Sequence, residues 1–145
     1  MANILAAGEG NLFIKMSRGE IPCHKIAEND HWFAFLDINP LSPGHTLVVP
    51  KKIAEKSTDI PEEALPSFGG FLQKVIKTVV PEGTPYNILQ NNGGEAGQVV
   101  MQVHFHVIPK VQDGRGLKVE WKAESGEQEE LAKACAAFKA KFEAL

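Results

Sequence analysis

The chain has 145 residues, 43% of them apolar and 23% charged, and a formal net charge of −3. A single domain of that length buries roughly two thirds of its unfolded surface and folds without disulfides or structural metal. The acidic balance excludes a broad electrostatic grip on nucleic acid or an anionic membrane, which leaves small ligands held by specific contacts.

Residues 11–18, NLFIKMSR, read as a short helix that Asn11 caps and Gly19 ends. The stretches 24–28 and 31–38 read as strands joined by a turn at Asn29-Asp30, and NPLSPG (39–44) as a loop. HTLVVP (45–50) is short and nearly all apolar, the pattern of a strand buried on both faces. Over 61–80, apolar residues at 65, 68, 71, 72, 75, 76 and 79 form a helical stripe. Pro66 and Gly69-Gly70 leave the start of that helix open.

YNILQ (86–90) follows as a strand, NNGGEAG (91–97) as a loop, and QVVMQVHFHVIP (98–109) as the longest strand. A last helix, about 126–144, has Ser125 and Gln128 at capping-box spacing. Strands that follow one another through short turns before the first long helix predict an α+β domain with an antiparallel sheet. Cys23 and Cys135 form no C-x-x-C pair and read as reduced thiols. No basic-then-apolar leader opens the sequence and no apolar run approaches about 18 residues, so the expectation is a cytoplasmic protein with no membrane partner.

Chemistry concentrates in 98–109, where strand alternation sets Gln102, His104 and His106 on one face and Val103, Phe105 and Val107 on the other. Two imidazoles about 6.6 Å apart along a strand can converge on one phosphoryl group. Charging both would cost about 2.5 kcal/mol at an effective dielectric of 20, so one ring stays neutral and nucleophilic while its neighbour takes the proton. An H-x-H pair also serves as a buried hydrogen-bonded network, and it binds metals. His45 could add a third ligand, but four-coordinate zinc needs more donors and no cysteine pair supplies them. The dyad alone leaves the structural and functional readings open.

Three blocks in order resolve that choice. FIKMSRGEIP (13–22), FAFLDINPLSPGHTLVVPKK (33–52) and YNILQNNGGEAGQ (86–98), followed by the histidine strand, resemble the histidine triad (HIT) superfamily, its Hint-like branch most of all. The matched blocks span about 11–110 of a single HIT domain over 1–145, with the final helix outside them. The resemblance implies a homodimer in which two five-stranded sheets join into one ten-stranded sheet. It implies hydrolysis or transfer on purine nucleoside monophosphate derivatives, AMP or GMP phosphoramidates or acyl-adenylates, with no cofactor and no nucleic-acid partner.

By position in the family pattern, His104 is the nucleophile that becomes nucleotidylated, His106 binds phosphate oxygens, and His45 orients the array. Asp37 holds the ribose hydroxyls; Leu12, Phe13 and Ile21 clamp the base; Asn91, Gln98 and the backbone at Val99 and Val100 lie on the phosphate side. Gln102 stands at the first triad position in place of histidine, so it can hydrogen-bond but not carry a proton. Asn11 and Ile14 occupy the places of a C-x-x-C pair found in zinc-binding relatives, so no metal is expected. Diadenosine polyphosphate hydrolysis and a catalytically weak nucleotide-binding dimer are the alternatives.

Overall fold

The computed structural model describes residues 3–145. Asn11 caps the first helix, α1 (Leu12–Ser17), by accepting the Phe13 N–H at 2.9 Å. Its amide turns back to donate to the Ala6 carbonyl at 2.8 Å, tying the N-terminal loop to the helix. Strands β1 (Lys25–Glu28) and β2 (Trp32–Leu36) form a hairpin. In its turn, Asn29 Oδ1 accepts the N–H groups of both His31 and Trp32.

Strand β3 (Thr46–Pro50) is buried along its whole length and pairs with β2 from Trp32↔Pro50 to Leu36↔Thr46. A single 3-10 turn, Glu62–Ala64, leads into α2 (Leu65–Val79). Pro66 falls in the first turn of α2, where its missing N–H has no intrahelical partner to lose. Strands β4 (Tyr86–Leu89) and β5 (Phe105–Pro109) complete a five-stranded antiparallel sheet of order β1-β2-β3-β5-β4. The fold is α+β.

The two faces of the sheet carry different loads. Trp32, Ala34, Val48 and Val107 pack with Val75 and Ala64 under α2, and Phe105 joins them. The Trp32 indole N–H donates to the Ala64 carbonyl at 2.8 Å, which satisfies the one polar atom of a fully buried ring. Phe33, Phe35, Leu47 and Val49 face the other way and pack with Phe13 of α1. Alternation along β5 therefore sends Phe105 and Val107 to the α2 side and His106 to the α1 side.

Two expectations need correction. The strand predicted over 98–109 is regular only from Phe105. Upstream, the backbone bonds to loops instead of strands: Met101 N–H to the Leu5 carbonyl at 2.8 Å, Val103 N–H to the Ala54 carbonyl at 2.7 Å. The final helix, α3 (Gln128–Glu143), has Glu127 at its N-cap with no side-chain bond, so the Ser125–Gln128 capping box does not form. No residue of α3 is buried.

Candidate active site

A cleft of about 790 Å³ opens on the α1 face of the sheet. Leu12, Phe13, Met16, Ile21 and Cys23 line its apolar end, together with Phe35 and Leu47. Asp37 lies on the wall, Val99 and Val100 at the loop side, and His104 and His106 on the same lining. Phe13 meets the His104 ring edge-on, with centroids 5.1 Å apart and planes at 80°. The two histidine rings lie 5.0 Å apart, also edge to face.

His104 precedes the regular strand, so its orientation is set by a local bond and not by pleat alternation alone. Its Nδ1 lies 2.7 Å from the Gln102 carbonyl. A carbonyl can only accept, so Nδ1 carries the hydrogen and Nε2 holds the lone pair. His104 is buried, and desolvation pushes its pKa below the usual histidine value despite the opposing carbonyl and Asp37. At neutral pH the ring is an uncharged base with one free nitrogen.

His45 lies behind this pair. Gly44 places it there: its φ is +87°, and a Cβ at that position would come within 2.7 Å of the Val79 carbonyl oxygen. The backbone N–H of Leu41 donates to His45 Nδ1 at 3.0 Å, so that nitrogen is unprotonated. The neutral ring therefore carries its hydrogen on Nε2, which lies 2.9 Å from His106 Nδ1 and 3.5 Å from Asp37 Oδ2. Accepting from His45 leaves His106 with its own hydrogen on Nε2. The three local bonds thus fix three tautomers: a lone pair at His104 Nε2, an N–H at His45 Nε2 and an N–H at His106 Nε2.

Burial lowers the pKa of His106 to about 4, and the neighbouring His104 and His45 push the same way. Burial also lowers that of His45, against the pull of Asp37. Desolvation outweighs the single nearby carboxylate, so the surroundings of both His104 and His106 favour the neutral ring, against the expectation of one cationic ring beside a neutral one. A bound anion is what would reverse that balance.

Asp37, His45 and His106 each offer a donor atom within 4.8 Å of the others. The 2.9 Å separation between the two imidazole nitrogens is a hydrogen bond, closer than about 3.3 Å expected between tetrahedral ligands of zinc. Among the described residues, no buried side-chain polar atom lacks a partner.

Four residues singled out in the sequence stand apart from the cleft lining. Gln102 is fully buried, and its Oε1 accepts the Ala54 N–H at 3.0 Å while its amide donates to the Lys52 and Pro50 carbonyls at 2.9 and 3.2 Å. Gln98 likewise accepts from Gly93 N–H and donates to the Glu55 and Val100 carbonyls. Asn91 donates weakly to the Gly97 carbonyl at 3.4 Å, and His45 lies off the lining, bonded to Leu41 and His106. Sequence reasoning missed Met16, Cys23, His24, Phe35 and Leu47 on the lining. Met16 lies one turn after Leu12 on α1, and Phe35 pairs with Leu47 across β2–β3, so helical and strand periods carried signals for three of them.

Comparison with known proteins places these features in context. A family model described as the HIT domain matches residues 18–113. The adenosine 5'-monophosphoramidase of Candida albicans is 39% identical over 135 residues, covering 89% of each chain. That of Schizosaccharomyces pombe is 46% identical over 110 residues, covering 76% of this chain and 81% of its own. A crystal structure of a histidine triad nucleotide-binding protein from Candida albicans superposes with a TM-score of 0.84 at 38% identity, covering 92% of this chain and 97% of its own.

Proposed function

Because the chain belongs to the HIT domain family, we propose that it is a nucleotide hydrolase or transferase that cleaves AMP phosphoramidates or related adenylates through His104. Relatives that share most of its length bear the name adenosine 5'-monophosphoramidase, which supports the substrate class. The observation that carries the mechanism is the tautomer at His104: its Nδ1–H is committed to the Gln102 carbonyl, so the lone pair at Nε2 is the one available for attack.

In this reading the purine lies among Leu12, Phe13 and Ile21, and Asp37 accepts from the ribose hydroxyls. Asn91, Gln98 and the backbone at Val99 and Val100 form the phosphate-side loop, with Gln98 acting by bracing its backbone. The His104 Nε2 lone pair attacks the α-phosphorus in line. The bond from phosphorus to the leaving nitrogen breaks, and the departing amine keeps the electron pair and takes a proton from solvent, balanced by the proton that the attacking water releases in the next step. Water then attacks phosphorus, and AMP leaves as the His104 nitrogen recovers its lone pair. His106 contributes its Nε2–H to the charge that develops on the phosphoryl oxygens. The negative phosphoryl group also raises the proton affinity of His106, which offsets the burial that lowers its pKa.

A homodimer is part of the same proposal. On α3, Leu131, Cys135, Phe138 and Phe142 recur at spacings of four, three and four, and Leu145 follows three residues on, just past the helix end; this apolar seam is exposed and has the pattern that suits packing on another helix or sheet. Mixing the protein with a fluorogenic AMP phosphoramidate tests the catalytic reading. Turnover that is lost in His104→Ala and unaffected by EDTA is the expected result; turnover that survives His104→Ala refutes it.

A further inference from the structure

Asn11 forms no part of the cleft lining, yet it is fully buried and both ends of its amide are engaged. Its Oδ1 accepts the Phe13 N–H at 2.9 Å, and its Nδ2 donates to the Ala6 carbonyl at 2.8 Å and the Leu5 carbonyl at 3.4 Å. The strap it holds, residues 3–10, contributes no buried side chain, so hydrogen bonds are its chief attachment. Successive carbonyls of the strap reach two different elements. Ile4 accepts the Leu12 N–H of α1 at 2.7 Å, and Leu5 accepts the Met101 N–H at 2.8 Å.

Both elements end on His104. From α1, the Phe13 ring meets the imidazole edge-on at 5.1 Å. One residue past Met101, the Gln102 carbonyl lies 2.7 Å from His104 Nδ1 and keeps the hydrogen on that nitrogen. The Gln102 side chain and the Val103 N–H tie this peptide to residues 50–54. On its N-terminal side, the tie is the Met101 bond to the strap.

Resting on the nucleotide-hydrolase reading above, we propose that Asn11 is a positioning residue for His104, with Oδ1 setting the helix that abuts the ring and Nδ2 setting the strap that anchors the peptide holding Nδ1–H. The N-terminal strap thereby serves catalysis without touching the cleft. Loss of the Asn11 amide leaves α1 capped but frees the strap, and the Gln102 carbonyl can turn away from Nδ1. The His104 hydrogen is then shared between the two ring nitrogens, and a ring that carries it on Nε2 has no lone pair there for attack. A merely structural Asn11 would change stability and leave that tautomer alone.

Two substitutions separate the halves. Asn11→Ser keeps a hydroxyl that caps α1 but is too short to reach the strap, whereas Asn11→Ala removes both functions. In Asn11→Ser, kcat on an AMP phosphoramidate should fall about ten- to hundredfold while KM stays within about twofold of wild type. In Asn11→Ala, KM should rise as well, because the base-clamping helix loses its cap. Imidazole nitrogen NMR reads the cause. Wild-type His104 should show a protonated Nδ1 and an unprotonated Nε2, and in Asn11→Ser the two signals should move toward each other. A folded Asn11→Ser protein with wild-type kcat and wild-type His104 signals overturns the proposal, whatever its melting temperature. A fall in kcat with those signals unchanged overturns it too. Should neither variant fold, amide exchange in wild type decides: Met101 N–H should be protected as well as Val103 N–H, and exchange at the rate of an exposed loop amide overturns the role of the strap. Absence of turnover by wild type would sink the hydrolase reading, while the nitrogen signals would still test the positioning of His104.

Discussion

The cleft wall and the C-terminal arm are built on opposite terms. Around the cleft, buried polar groups are numerous and paired: Gln102, Gln98, Thr46, Ser42 and His45 each bond to named partners. In the arm, residues 118–145 are exposed without exception, including Trp121, Phe138 and Phe142. A 16-residue helix with no packed face is marginal in water. The order of the first region is internal to one chain, whereas the arm's apolar seam has no packed partner among the described residues.

The largest expected effect lies at the centre of the first region. His104→Ala should lower kcat by at least about a thousandfold in a phosphoramidase assay, with melting little changed, since the role proposed for the ring is nucleophilic and not structural. Gln102→Leu should do the reverse in kind: it leaves the Ala54 N–H and the Lys52 and Pro50 carbonyls unpaired in the interior. Denaturant unfolding should show about 3 kcal/mol lost. A Gln102→Leu protein of unchanged stability would break the claim that the cleft wall depends on paired polar groups.

Proton linkage gives a smaller effect. His106 has a folded pKa near 4, below the ordinary 6.5, so the unfolded chain binds its proton first as pH falls. Its contribution is fully present above pH 6.5 and is lost as pH falls from there toward 4, at up to about 1.4 kcal/mol per pH unit. His45 and His104 are displaced in the same direction and steepen the decline. Urea unfolding across that range should show it, and His106→Asn should flatten the curve.

The smallest effect on the fold belongs to the arm. Phe138→Lys with Phe142→Lys should cost under about 0.5 kcal/mol within one chain, because neither ring is buried. Sedimentation should nevertheless shift from dimer toward monomer. A loss of several kcal/mol with no change of mass would show that the seam packs on its own domain.

Much of this contrast was legible in the sequence, and the failures have one cause. The α+β order, the buried β3 and the amphipathic α2 follow from local periodicity, which the sheet and its covering helix preserve. The segment 98–104 alternates like a strand, but Gln98 and Gln102 bond to Glu55, Lys52 and Ala54 some 43 to 50 residues away, and those partners bend it off the sheet. Local pattern cannot register a tertiary acceptor. The same holds for His45: P-G-H signals a turn, while the relation of His45 to His106 spans 61 residues. Ser125 and Gln128 had capping spacing, yet the chain enters α3 two residues later than that motif requires.

Peptide mapping of the protein quenched under denaturing, non-acidic conditions during turnover of an AMP phosphoramidate addresses the nucleophile directly. The nucleotidyl group should be found on His104 and accumulate when hydrolysis is slowed. Its presence on another residue, or steady turnover in which no histidine ever carries it, would contradict the account.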